Sequence, residues 1–263
     1  MPFTLSHPAA AVPLARRGLL LSALVVGSMA PDFGYYLHPF PGGLFSHTLL
    51  GVLFFCVPAG LAVLWVFHTF LKHPLLSLLP TSHQRRLAPL AGEFSFGPWR
   101  RFVRIVVSLA AGALTHIAWD AFTHSDSWTV QQLPFLRWPI TRLVHGAIPL
   151  YYLLQYGSTL VGGALLCYWY TRWFRQAPTQ PVTLPVRLST PVRRGVILSM
   201  GVGTCILAGM WGSFGDSPLS GLRALRLFAT RAVSAGMMVL FAELVIFSGF
   251  WHLAGSKKRA QVR

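Results

Sequence analysis

Five stretches of this chain are mostly apolar and at least 20 residues long: Thr48 to Leu71, Phe102 to Phe122, Ile148 to Tyr170, Gly195 to Phe214 and Leu227 to Leu253. A helix of about 20 such residues crosses the roughly 30 Å hydrocarbon core of a bilayer. Lipid offers no partner to a backbone N–H or C=O, so a spanning segment must satisfy its own, which continuous apolar runs do as helices. Pro58 inside the first run is compatible with this, because neighbouring groups can satisfy the carbonyl it frees. Only 11% of the residues are charged, where globular proteins carry about 25%. With 54% apolar residues, disorder is excluded as well. Cys56, Cys167 and Cys205 each sit within an apolar run, which excludes a disulfide scaffold. The expected fold is all-α, a polytopic helical membrane protein forming one integral membrane domain over 1–263. It has five full spans plus a short N-terminal span or re-entrant helix pair.

The N-terminus leaves three arrangements open. Gly18 to Ala30 is an apolar run of 13 residues ended by Pro31, and a shorter one, Pro8 to Ala15, precedes Arg16-Arg17. An Arg pair, an apolar core and the ending Gly-Ser-Met-Ala have the form of a signal peptide, although the region before the pair is itself apolar. One oblique span is the second arrangement. The third is a hairpin of two short helices turning at Arg16-Arg17, which brings His7 and Asp32 to the same end.

Net charge is +16, from 22 Lys and Arg against 6 Asp and Glu. In a soluble protein that balance suggests nucleic acid. Here the basic residues lie between the apolar runs, where they act as topology signals and as contacts for anionic headgroups, so no nucleic-acid partner is expected. Sixteen of them fall in 16–17, 72–101, 171–194 and the C-terminal tail; only Arg137, Arg142, Arg223 and Arg226 fall in the alternate loops. Basic loops stay in the cytoplasm. The expected location is the bacterial inner membrane, with a cytoplasmic C-terminus and outward segments 31–47, 123–147 and 215–226.

Asp32, Asp120, Asp126 and Asp216 all fall on the outward side, with His38, His47, His116, His124 and His145. His116, Asp120 and His124 are spaced four apart, so a helix puts them on one face. Each step rises about 6 Å, which lets His116 and Asp120 grip one ion and leaves His124 too far to share it. If the helix persists to His124, Asp120 can bridge two neighbouring metal ions. Ionisable residues within membrane segments are rare and mark functional sites; the bland alternative is a polar helix end meeting water. Pro31-Asp32 closes the short apolar run and Phe45-Ser46-His47-Thr48 opens the next span at the same face. Two Asp and two His converging there fit zinc or another divalent cation. His145 is a plausible further ligand; His38 and Asp126 are weaker candidates. No phosphate-binding Gly loop, zinc-spaced Cys pair or Gly-x-Ser-x-Gly elbow is present. Glu243, inside the last run, reads as a structural contact between helices.

The opening Met-Pro-Phe-Thr-Leu-Ser-His-Pro-Ala-Ala, followed by Gly-Ser-Met-Ala-Pro-Asp-Phe and Phe-Ser-His-Thr, resembles a bacterial membrane-protein family catalogued as domain of unknown function 4184. More distantly, the order His7, Pro31-Asp32, Ser46-His47, His116-x-x-x-Asp120 is similar to inner-membrane proteins called membrane-bound metal-dependent hydrolases. Those in turn resemble zinc-dependent phospholipase C. Phe33-Gly34-Tyr35 stand where the hydrolases carry a second acid and His, and their His-Arg-Gly before Ser-His is absent. The resemblance implies His7 as a ligand, which requires the N-terminal hairpin.

The expected function is metal-dependent hydrolysis of a phosphoester, on a lipid or another substrate reaching the outer face. His7, His47, His116 and Asp120 are the expected ligands, Asp32 a ligand or the general base, and His124 or His145 a further ligand. The alternative is a non-enzymatic transport or assembly component whose polar row is structural or holds a metal for stability. The orientation is directly testable. A reporter active only outside the cytoplasm should be silent when fused after Arg263 and active when inserted near Ser125; the reverse pattern would place the polar row in the cytoplasm.

Overall fold

Apolar periodicity is realised almost entirely as helix in the computed structural model, which describes residues 4–36, 43–143, 146–181, 184, 186–214 and 221–260. We label the helices α1 (Pro8–Ala11), α2 (Leu21–Met29), α3 (Leu49–Leu78), α4 (Trp99–Thr123), α5 (Leu150–Gln176), α6 (Thr190–Gly212) and α7 (Gly221–Ala260). Among the described residues four helical stretches are long and apolar enough to cross a membrane: Leu49–Leu78, Trp99–Gln132, Thr190–Gly212 and Leu227–Ser256. They coincide with four of the five expected runs. The fifth run is α5, whose 27 residues are long enough but whose apolar surface is diluted by Gln155, Ser158, Thr159 and Arg172. An antiparallel hairpin, β1 (Pro139–Leu143) with β2 (Gly146–Pro149), precedes α5 and was not expected from the sequence. Pro139 and Pro149 are paired at its open end, where a missing N–H costs no interior ladder bond.

Two compact units emerge: Met1–Trp65 with Ser95–Gln176, and Val66–Phe94 with Ala177–Arg263. The first holds the polar row. In it the N-terminus takes the hairpin arrangement. α1 runs on as a 3-10 turn over Val12–Arg17, Gly18 adopts φ 85°, and α2 returns. That φ is left-handed, a region glycine enters without strain. The return is closed at its far end by Thr4, whose hydroxyl donates to Asp32 at 2.5 Å.

α2 lies against α4 with backbones close together. A Cβ on Gly27 would collide with the Leu109 carbonyl, and one on Gly112 with the Leu24 carbonyl and the Ser28 amide. Small residues at such crossings let membrane helices approach. Ser108, itself donating to the Arg104 carbonyl, caps the start of α2 by accepting from the Leu20 N–H at 2.9 Å. Behind the crossing, Ala30, Val52, Cys56 and Ala113 form a buried cluster flanked by Phe33, Phe55 and Ile117. Two π-helical turns interrupt α3, at Val52–Cys56 and Phe67–Leu71. Each precedes a proline, Pro58 and Pro74, whose ring would clash with a regular preceding turn.

In the second unit α6 packs on α7. Thr204 donates to Glu243 at 2.8 Å, so Glu243 has the interhelical role expected of it. Arg231 donates instead to the Phe214 carbonyl. His68 stacks flat on Phe94 with ring centroids 3.7 Å apart, and His252 meets the Phe70 carbonyl at 2.9 Å.

The crossing makes a prediction. Gly112→Leu forces α2 from α4 and should destabilise the protein by about 1–3 kcal/mol, the cost of overpacking a filled contact. Gly163→Leu, where a Cβ meets nothing within 4 Å, should not. Equilibrium unfolding of both variants in one detergent measures the difference.

Candidate metal centre

α4 sets the geometry. His116 and Asp120 lie one turn apart on the face packed against α2, and His116 Nε2 is 3.2 Å from Asp120 Oδ2. The close crossing puts the Ser28 carbonyl 2.8 Å from His116 Nδ1. A carbonyl can only accept, so Nδ1 carries a proton and Nε2 is the ring nitrogen turned to the interior, where it could ligate once unprotonated. The 3-10 turn Ala30–Asp32 ends α2 and delivers Asp32, whose Oδ1 stands 3.5 Å from His116 Nε2. Ser46 donates to the Pro31 carbonyl at 2.6 Å, which ties the next segment to that turn. His47 Nδ1 lies 3.2 Å from Ser46 Oγ. With the Ser46 proton already given to Pro31, Nδ1–H is the donor, and His47 Nε2 faces inward as well. It lies 3.7 Å from Asp32 Oδ1 and 3.6 Å from Asp120 Oδ2. His7 completes the group, stacked on His116 with centroids 3.7 Å apart and Nε2 3.7 Å from Asp120 Oδ1.

These side chains come from four separate segments and converge in one cluster. His7, Asp32, His116 and Asp120 are buried, between 0% and 7% exposed. His7 Nε2, Asp32 Oδ1, His116 Nε2 and Asp120 Oδ1 are buried atoms without a hydrogen-bond partner. Buried polar atoms are nearly always hydrogen-bonded, so four unsatisfied ones in a single cluster need a physical reason. Most of the N···O separations, 3.5–3.7 Å, exceed the hydrogen-bond range. Ligands bound at 2.0–2.1 Å around a tetrahedral zinc ion sit about 3.3 Å from one another. Two ligand sets meet the spacing for an ion, His7-Asp32-His116 and His47-His116-Asp120, with all donor atoms in each within 4.8 Å of one another. They share His116, whose one inward nitrogen makes it the hinge of both.

Burial dominates the electrostatics. It pulls the His7 pKa down from 6.5 to about 4 against the opposing pull of the Asp120 and Asp32 carboxylates, which favours the neutral ring. Tyr35, at the rim, has its phenol pushed up by burial and then by the Asp32 and Asp120 carboxylates.

A recess of about 300 Å³ opens beside the cluster, lined by Tyr35, His47, Asp120, His124 and Asp126 among others. Near His7 lies an apolar groove of about 500 Å³, bounded by Trp119 and by Leu153, Gly157, Val161 and Leu165 of α5. Trp119 Nε1 donates to Ser158 at 3.1 Å along its wall.

Of the expected site residues, His7, Asp32, His47, His116 and Asp120 converge. His124 lies past the end of α4 at Thr123 and has extended backbone, yet its Nδ1 stands 3.7 Å from Asp120 Oδ1, as near that carboxylate as His7 does. Its Nδ1 lies 3.1 Å from the Asp120 carbonyl, and its ring lines the recess. The second ion position that a continuous helix would have offered is therefore not formed by α4 alone. His145 and His38 lie outside the described residues. Thr4, the Ser28 carbonyl and Ser46 orient the cluster and were not singled out. Thr4 and Ser46 stand inside the motifs Phe-Thr-Leu-Ser-His and Phe-Ser-His-Thr, which were read for their histidines alone.

The family model described as "Domain of unknown function (DUF4184)" matches residues 1–249. The chain belongs to this family. The match takes in every element of the cluster, so a description of this site is a description of what a DUF4184 protein encloses. No curated protein and no solved structure matches the chain.

If the cluster holds an ion, its ligands act on metal content before folding. Asp120→Asn, Asp32→Asn and His116→Ala should each insert into the membrane yet lose bound zinc. Thr4→Val should weaken zinc about 10–100-fold, as removal of a ligand-orienting group does. His68→Ala should retain it. Plasma mass spectrometry on identically purified protein reads all five; equal zinc in wild type, His116→Ala and Asp120→Asn would refute the metal centre.

Proposed function

We propose that this DUF4184 protein is a membrane-embedded, zinc-type metal-dependent hydrolase of phosphoesters. One observation carries the reading: inward-facing, unsatisfied His and Asp donors lie next to a recess rather than in a sealed core. Purely structural metal sites are closed, whereas catalytic ones keep a position open to substrate. A bound divalent ion would supply a more acidic water and a counter-charge for phosphate oxygens.

The residues divide by position. Asp32 is 1% exposed and takes the Thr4 hydroxyl, which suits a ligand better than a base exchanging protons with water. Asp120 and His47 belong both to the cluster and to the recess wall, as ligands that also meet substrate do. His124 donates through Nδ1 to a backbone carbonyl, which leaves Nε2 as a basic nitrogen on the recess side. That makes it the better candidate to accept a proton. The apolar groove near His7 favours a phosphoester carried on a lipid, with its chain in the groove. In this reading α5 is a fifth span, α1 and α2 form a re-entrant pair, and the protein lies in a bacterial inner membrane. The centre faces outward and the C-terminus lies in the cytoplasm.

The test uses zinc-loaded full-length protein in nanodiscs, with phosphatidylglycerol as lipid diester and bis(p-nitrophenyl) phosphate as soluble diester. Both should be cleaved, and chelation should abolish cleavage. A Cβ at Gly157 meets nothing within 4 Å, so Gly157→Leu fills the groove without displacing backbone. It should slow lipid cleavage at least ~10-fold, the effect of about 1.4 kcal/mol on the barrier, and spare the soluble diester. Zinc-loaded wild type that cleaves neither diester would refute the hydrolase and favour a non-enzymatic metal site.

A further inference from the structure

In the second unit a cavity of about 540 Å³ is bounded by Thr81, Gln84 and Arg85 on one side and by Thr179, Arg187 and Arg193 on the other. The three arginines come from chain segments about a hundred residues apart. Among the described residues no carboxylate lines the cavity. A topology signal needs only a count of basic residues in a loop; it does not require guanidinium groups from distant loops to share one cavity. Arg85 and Arg187 are exposed and Arg193 is half-buried, so an anion arriving from solvent can reach these cationic groups.

The walls are fixed by hydrogen bonds. Gln84 donates through Nε2 to the Ser77 and Leu79 carbonyls, at 3.2 and 2.8 Å, which anchors the short helix Thr81–Leu87. Arg193, half-buried at the start of α6, donates through Nη1 to the same Leu79 carbonyl at 3.2 Å. The Gln180 N–H donates to the Arg85 carbonyl at 3.0 Å, which holds Gln180 against the helix Thr81–Leu87. Thr81, Thr179 and Gln180 line the cavity as well and bring hydroxyl and amide groups to it. Planar guanidinium groups pair bidentately with phosphate oxygens, and hydroxyl and amide donors fill the remaining lone pairs.

We propose that this cavity is a binding site for a phosphate-bearing anion, either the headgroup of an anionic membrane lipid or a free phosphate compound. It shares no residue with the metal centre, so either can fail without the other. Basic pockets at the ends of membrane helices hold lipid headgroups in this way, and the volume leaves room for more than one phosphate group.

The experiment is native mass spectrometry of delipidated full-length protein titrated with phosphatidylglycerol, with phosphatidylcholine, and with inorganic phosphate. Wild type should bind phosphatidylglycerol over phosphatidylcholine if the source is lipid, or inorganic phosphate without lipid if it is free. In either case Arg85→Gln with Arg187→Gln should weaken binding at least ~10-fold, through loss of charge-assisted hydrogen bonds. Arg172→Gln, on α5 and outside the cavity, should leave it unchanged. Circular dichroism and retained zinc in the double variant separate lost binding from lost fold, and the single variants stand in if the double does not fold. Equal anion binding by wild type and the folded Arg85 and Arg187 variants would overturn the proposal, as would absence of binding to all three probes by wild type.

Discussion

Two carboxylates buried among apolar helices set the terms for the first unit. Asp32 and Asp120 are taken out of water in a chain with only six acidic residues. Removing an isolated charge from water is costly unless it is paired or coordinates metal. Thr4 gives Asp32 one hydrogen bond, and the remaining neighbours are imidazoles held mostly beyond hydrogen-bonding distance. A divalent cation would balance the two carboxylates and give the inward nitrogens a partner. The other features of the unit then have a purpose. Gly27 and Gly112 allow the crossing that aims His116, Gly18 permits the reversal that returns the chain from His7 to Asp32, and Ser46 ties His47 to the turn that ends α2.

Much of this can be read from the chain. Run length marked the helices, since only helices satisfy their own backbone in lipid, and four runs reappear as long apolar helices with ends shifted by a few residues. The i, i+4 spacing of His116 and Asp120 survives because it lies within one helix. Local spacing fails at His124, where α4 stops and the backbone turns extended. A four-residue period carries no information about where a helix ends. The β1–β2 hairpin was equally hidden, because Trp138 to Pro149 has neither alternation nor a two-residue glycine turn.

The orienting groups show a different limit. The Ser28 carbonyl is a backbone atom, and backbone acceptors have no sequence signature at all. Thr4 and Ser46 are small hydroxyl residues of a kind common in any loop; only the fold reveals that Thr4 holds Asp32 and that Ser46 holds the turn that bears it. His7 illustrates the converse. Read alone it is an N-terminal histidine, and only the resemblance in the order of motifs makes it a candidate ligand. The hairpin that brings it to Asp120 follows from Gly18 and the Thr4–Asp32 contact.

Anomalous diffraction at the zinc edge, from crystals of the full-length protein grown with zinc, tests the central claim most directly. The account predicts a peak enclosed by His7, Asp32, His47, His116 and Asp120, with ligand distances of about 2.0–2.2 Å. A map without a peak there, in which His116 Nε2 instead makes a short hydrogen bond to Asp120 or Asp32, would contradict it.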